Sequence, residues 1–168
     1  MSADGGTPEA VVRVAPSERA HGPQLLPGGE SILFTLRTGV GSSQWQNATL
    51  VVQSLRTGER KTIRTGSDAR FLPTGHLVYA AGFTLFANGF DLSTLEPIGG
   101  PVPLIEGIRR AVASPGNTGT ANYDVSRDGK GFLMAQTAET SVPQLRVVLN
   151  WTDALKPAWP TARLTKSA

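Results

Sequence analysis

One phrase recurs three times in this chain and limits its fold more than any other feature: an apolar strand, a tight turn closing on glycine, and a second apolar strand. It reads Pro23-Gln24-Leu25-Leu26-Pro27-Gly28-Gly29 before Ile32-Leu33-Phe34. It returns as Ala69-Arg70-Phe71-Leu72-Pro73-Thr74-Gly75 before Leu77-Val78-Tyr79, and as Tyr123-Asp124-Val125-Ser126-Arg127-Asp128-Gly129 before Phe132-Leu133-Met134. The closing glycines lie roughly 50 residues apart, a period typical of stacked supersecondary units that cannot bury their apolar faces alone.

Each unit continues in the same way. A third strand is predicted over Thr49–Leu55, Thr84–Ala87 and Leu145–Leu149, and a fourth over Lys61–Arg64 and Val102–Ile105. Arg56-Thr57-Gly58-Glu59 between strands three and four of the first unit is a hairpin turn, with glycine free to take positive φ. No segment carries the 3.6-residue apolar period of a long amphipathic helix. The 19 glycines and 12 prolines fit many short elements joined by turns. With 39% hydrophobic and only 17% charged residues, the chain is globular rather than disordered. A β-sandwich explains alternating strands equally well, but not the recurrence of one phrase. The expected fold is therefore all-β: a partial β-propeller of about three four-stranded blades. The units fall at 16–66, 67–108 and 118–151, preceded by 1–15 and followed by a Pro-rich tail at 152–168.

The array is uneven at its ends. The third unit reaches its third strand and lacks a fourth. At the N-terminus, Asp4-Gly5-Gly6-Thr7 reads as a turn and Glu9–Val14 as a fourth strand with no blade ahead of it. Three blades are too few for an ordinary ring, whereas two copies supply six. A homodimer is expected, in which Val11–Val14 of each copy pair with Leu145–Leu149 of the other and remove two exposed strand edges.

The runs Leu50–Arg60, Asp68–Ala80, Phe90-Asp91-Leu92 and Pro101–Gly107 resemble the TolB-like, WD40-like (PD40-type) propeller repeats of bacteria. They are similar in particular to the propeller that follows the kinase domain in bacterial eukaryotic-like serine/threonine kinases, and Val147–Trp151 resembles the end of such a propeller. The likeness runs from about Asp4 to Lys156. It implies the propeller fold and an often extracytoplasmic family setting. These 168 residues contain neither a kinase domain nor a membrane anchor, so the signalling context does not carry over. Propellers host binding, scaffolding and catalysis on one frame, so the resemblance implies no single activity.

Composition removes several function classes. The net charge is +3, but the 16 Lys and Arg are scattered. Their only tight group, Arg56, Arg60, Lys61 and Arg64, flanks a turn and lacks the interleaved aromatics of a nucleic-acid groove. With no cysteine, there is no disulfide framework, thiolate nucleophile or thiolate metal site. The opening MSADGGTPEA has no apolar core and is not a signal peptide, and no apolar run is long enough to span a membrane.

Aligning the units places His21, Ser67 and Ala121 at one level of the innermost strands, with Gly22, Asp68 and Asn122 at the next. Gln24, Arg70 and Asp124 follow two residues on. His21, Gln24, Asp68, Arg70, Asn122 and Asp124 are thus candidate ligand-binding residues at a channel mouth. His21, Asp68 and Asp124 could hold Zn²⁺ or Ca²⁺ and activate water against a phosphoester, lactone or ester. The same side chains could equally satisfy neighbouring backbone groups, with Asp68 paired to Arg70 and Asp124 bracing the turn at Ser126 and Asp128. His76 follows a turn glycine at the opposite face. Trp45 lies on a long loop as a possible contact residue, and Trp151 and Trp159 are expected to cover the open end of the last blade. No G-x-S-x-G elbow, H-E-x-x-H spacing or phosphate loop is present. Two function classes follow: a non-catalytic binding or scaffold module for a protein, peptide or small ligand, and a metal-assisted hydrolase with its site in the channel.

Overall fold

The repeated phrase forms the same turn three times. In a computed structural model, which describes residues 5–39, 47–108, 123–136 and 144–151, the turn glycine donates its amide to the residue three positions earlier. The bonds are Gly29 to Leu26, Gly75 to Leu72 and Gly129 to Ser126, at 3.0, 2.9 and 2.8 Å. All three glycines have φ between 71° and 79°, a conformation that side-chain-bearing residues rarely adopt.

Around these turns run β1 (Glu18–Leu25), β2 (Ser31–Thr38), β3 (Thr49–Ser54), β4 (Arg60–Thr65), β5 (Ser67–Phe71), β6 (His76–Ala81), β7 (Thr84–Asp91), β8 (Glu96–Glu106), β9 (Tyr123–Val125), β10 (Gly131–Gln136) and β11 (Gln144–Leu149). They form antiparallel meanders in the orders β1-β2-β3-β4 and β5-β6-β7-β8, and a three-stranded sheet β9-β10-β11. Successive meanders stacked face to face make the chain all-β and a partial β-propeller, and every strand expected in the three blades is present. Among the described residues no helix is long and apolar enough to cross a membrane.

Strand alternation gives each blade two apolar faces. Leu33, Leu50 and Val52 of blade one pack on Leu77, Tyr79 and Phe90 of blade two. The opposite face of blade two, with Val78, Ala80, Leu85, Ala87 and Ile105, packs on Phe132, Met134 and Trp151. Burying each such side chain contributes roughly 1.5–3 kcal/mol, so the two inter-blade layers are the core. The third cluster, Ile32, Phe34 and Val51, lies on the outer face of blade one, with Val12 and Leu36 against it.

The strand at Glu9–Val14 is expected against a second copy, which a single chain does not contain, and the expectation for Trp151 is corrected. Residues 6–15 form no strand in the single chain. Instead Val11 O accepts Gln53 Nε2 at 2.9 Å and Arg13 O accepts a guanidinium bond from Arg60. A strand needs a partner backbone, and among the described residues the segment is held by side chains of blade one. Trp151 does not cover an open end. It is buried on the blade-two side of blade three, tilted against Phe132 at 5.0 Å, and its Nε1 donates to Gly129 O at 2.6 Å. Trp45 and Trp159 lie outside the described residues.

The turn residues 56–60 of the basic group are exposed, while Lys61 and Arg64 beyond them reach blade two. Lys61 bonds Glu96 and Thr94 O of blade two, at 2.8 and 2.9 Å. Arg64 reaches Asn88 Oδ1, which also accepts Tyr79 Oη at 3.1 Å, while Asn88 Nδ2 donates to Gly99 O. The Arg64 guanidinium lies 5.0 Å over the Tyr79 ring. Three of the four cations thus tie strands and blades together.

Candidate functional site

The innermost strands β1 and β5 share an irregularity that shapes the axis of the propeller. β1 pairs His21 with Thr35 and Gln24 with Leu33, so two residues oppose one. β5 does the same between Ser67, opposite Ala80, and Arg70, opposite Val78. The first bulged residue is left-handed in both, Gly22 at φ 60° and Asp68 at φ 56°. A bulge of this type needs a residue that tolerates positive φ, which glycine does freely and Asp or Asn do at modest cost. The matching of Gly22 and Asp68 therefore marks a shared backbone conformation; Asn122 lies outside the described residues.

Asp68 is buried and joined to all three blades. Its amide donates to Thr35 Oγ1 at 2.9 Å, and its carbonyl accepts the Tyr123 hydroxyl. Its carboxylate accepts Ser67 Oγ at 2.9 Å and lies 3.6 Å from His21 Nε2. The expected pairing of Asp68 with Arg70 is not formed. In this chain of groups the carboxylate stands between serine and histidine, whereas a nucleophilic serine needs the imidazole beside its hydroxyl.

Residues 24–27, 70–73 and 124–127, the same stretch of the repeat in each blade, line one cleft of about 530 Å³. Of the six candidate residues, Gln24, Arg70 and Asp124 meet here. His21 and Asp68 sit one level away, between blades one and two. The metal trio is thus not assembled: Asp124 belongs to the register of Arg70, two residues beyond that of Asp68. Among the described residues no three His, Asp or Glu side chains are grouped to hold a metal ion.

The three cleft residues have different surroundings. Gln24 clamps the neighbouring blade, its Nε2 donating to Phe71 O at 2.9 Å and its Oε1 accepting Phe71 N–H at 2.7 Å. Asp124 is exposed and accepts its neighbour's Val125 N–H at 2.8 Å. It does not brace the turn, which is held by Ser126 Oγ on Asp128 and by Lys130 N–H on the same carboxylate oxygen. Those bonds hold the Asp128 carboxyl below its ordinary pKa. Arg70 is half-buried, with Nη1 on Gly22 O at 3.3 Å and Ala69 O at 3.1 Å. Among the described residues it forms no ion pair. His76, away from the cleft, packs edge-on to Trp151 at 5.5 Å and shares a hydrogen bond with Thr74 Oγ1.

Sequence alignment found the cleft residues but missed Tyr123 and Thr35 as partners of Asp68, and Phe71 as the backbone partner of Gln24. Their contacts span blades, and only the polar tips of Tyr123 and Thr35 hinted at them.

No family model and no curated protein matches the chain. Among solved structures it is similar to an acylaminoacyl peptidase of Pyrococcus horikoshii, with 18% identity over 71% of this chain and a TM-score of 0.45. It is also similar to the β-propeller domain of the Trilobed protease from Pyrococcus furiosus, described as having an open velcro topology, with 16% identity over 73% of the chain and a TM-score of 0.44. The matches span 17% and 35% of those two chains.

Proposed function

We propose that the chain is a non-catalytic binding module whose axial cleft takes a peptide or small ligand carrying a carboxylate on an apolar body. The half-buried Arg70 guanidinium supports this reading above all else. Arg70 directs Nη1 to two backbone carbonyls and, among the described residues, pairs with no carboxylate, and the planar fork of arginine suits one. Around it, Leu25, Leu26, Phe71, Leu72 and Val125 offer apolar contact, and Arg127 adds a second positive charge at the rim. Clefts of this size with a few directed polar groups are typical of small-ligand sites.

A panel of short peptides ending in a free or an amidated carboxyl group, titrated calorimetrically against the protein, tests the proposal. The free acids should bind, the amides should bind at least about tenfold more weakly, and Arg70→Gln should remove the difference. Equal binding of acids and amides would dismiss the proposal. The metal-assisted hydrolase alternative predicts esterase or phosphodiesterase activity that is lost on chelation and with His21→Ala. With the Asp68 carboxylate occupied by Ser67 and His21, and Asp124 in another register, no observation favours it.

A further inference from the structure

The two ends of the blade stack carry the two halves of an inter-blade contact. Leu33, Val78 and Leu133 occupy one position of the repeat, on the face each blade turns to the next. Leu33 and Val78 are 0% exposed beneath the following blade, whereas Leu133 is 46% exposed. Val147, opposite it in the β10–β11 pairing, and Leu149 are exposed as well. At the other end, Ile32 and Phe34 of blade one correspond to Leu77 and Tyr79, and to Phe132 and Met134, which face the preceding blade in the interior of the stack. In blade one that face has no blade against it; Val12 and Leu36 pack there instead.

The N-terminal segment occupies an informative place. Val11 O and Arg13 O are bonded by Gln53 of β3 and Arg60 of β4, and Arg60 also spans Phe34 at 5.7 Å. Residues 11–14 therefore lie along the outer half of blade one's free face, where the outermost strand of a preceding blade would run. Blade three, whose sheet ends at β11 among the described residues, is a blade without that strand.

We infer that the occupant of both end faces is a second copy of this chain, joined head to tail. Blade three of each copy packs Leu133, Val147 and Leu149 on Ile32 and Phe34 of the other, and residues 11–14 add to β11 as the missing strand. Two such contacts related by a twofold axis close a six-bladed ring, because the end faces are the same surfaces that already pack within the chain. The axial cleft is then completed by a second set of Gln24, Arg70 and Asp124, so the ligand site belongs to the ring.

Light scattering on the full chain tests this at several concentrations. Twice the 17.7 kDa chain mass is expected, falling to one chain mass for Leu133→Glu. Ile98→Glu, at an exposed position on the outer strand of blade two, should remain dimeric. A wild-type monomer at all concentrations, as when the chain's own residues 152–168 cover blade three, would overturn the inference. So would a dimer indifferent to Leu133→Glu, or one lost with Ile98→Glu. Should Leu133→Glu fail to fold, Val12→Cys combined with Val147→Cys decides the matter in this cysteine-free chain. A bismaleimide should link two chains in that double variant and not in either single one; failure to link them overturns the head-to-tail contact. Peptide binding can fail without touching these outcomes, so failure of the binding proposal is distinguishable from failure of this one.

Discussion

At the scale of the residue, Asp68 carries two separable roles. Its φ of 56° requires a residue that tolerates the left-handed region, and its carboxylate satisfies Ser67 and faces His21 in a buried setting. Asparagine keeps the conformation and one acceptor; alanine keeps neither. Urea unfolding should therefore show Asp68→Asn destabilised by about 1 kcal/mol and Asp68→Ala by about 3 kcal/mol, the latter combining left-handed strain with an orphaned hydroxyl. Equal losses would mean that the conformation contributes nothing. The sequence shows Gly22 and Asp68 as one aligned level, but not that each opens a bulge, because bulges arise from cross-strand register. His76 gives a pH signature. Burial lowers its pKa below the ordinary 6.5, more than the Thr74 bond raises it. The unfolded chain then binds more protons between the lowered folded value and 6.5, so stability is full above 6.5 and declines as pH falls through it. Thermal midpoints taken from about pH 7.5 down to about pH 5 should decline less in His76→Gln than in the parent. Identical slopes would exclude His76 as the source.

At the scale of the element, the blades are held by apolar faces and by a few polar clamps across them. The amide of Gln24 imitates a strand residue, giving Phe71 both a donor and an acceptor and joining β1 to β5 without a backbone ladder. Gln24→Ala leaves the Phe71 amide and carbonyl without these partners and should cost about 1–3 kcal/mol, whereas Gln24→Glu retains an acceptor for the amide and should cost less. Denaturant titration of both variants checks the order; Glu as harmful as Ala would show that the acceptor half of the clamp is idle. Strands were legible in the sequence wherever they had a neighbour in the same chain. The β2 and β6 apolar runs, and the Gly58 hairpin between β3 and β4, lie within a few residues of their expected places. Glu9–Val14 has the alternation of a strand, and among the described residues of one chain no backbone pairs with it, because its expected partner belongs to a second copy. Lys61 and Arg64 were hidden for a related reason: a cation near a turn reads as solvated until the adjoining blade supplies Glu96 and Asn88.

At the scale of the whole molecule, a stack of repeats is stabilised unit by unit through neighbouring interfaces, so its ends are its weak points. Blade two is covered on both faces by its neighbours, while blade three is covered on one, with Leu133, Val147 and Leu149 facing water. Local opening should follow that gradient: amides of β6 and β7 exchange slowest, and those of β10 and β11 fastest. If a second copy supplies the missing cover, the gradient is concentration-dependent. Dilution exposes the β10–β11 face and unpairs β11, while β6 and β7, already enclosed within one chain, respond only through global unfolding. Hydrogen exchange followed by mass spectrometry at two protein concentrations should thus show protection of 144–149 rising with concentration, together with a smaller gain over 11–14. In Leu133→Glu both gains should vanish, because the charge cannot enter the contact without an unfavourable desolvation. Uniform protection across the blades, or a gain confined to 96–106, would place the stabilising contact on another surface.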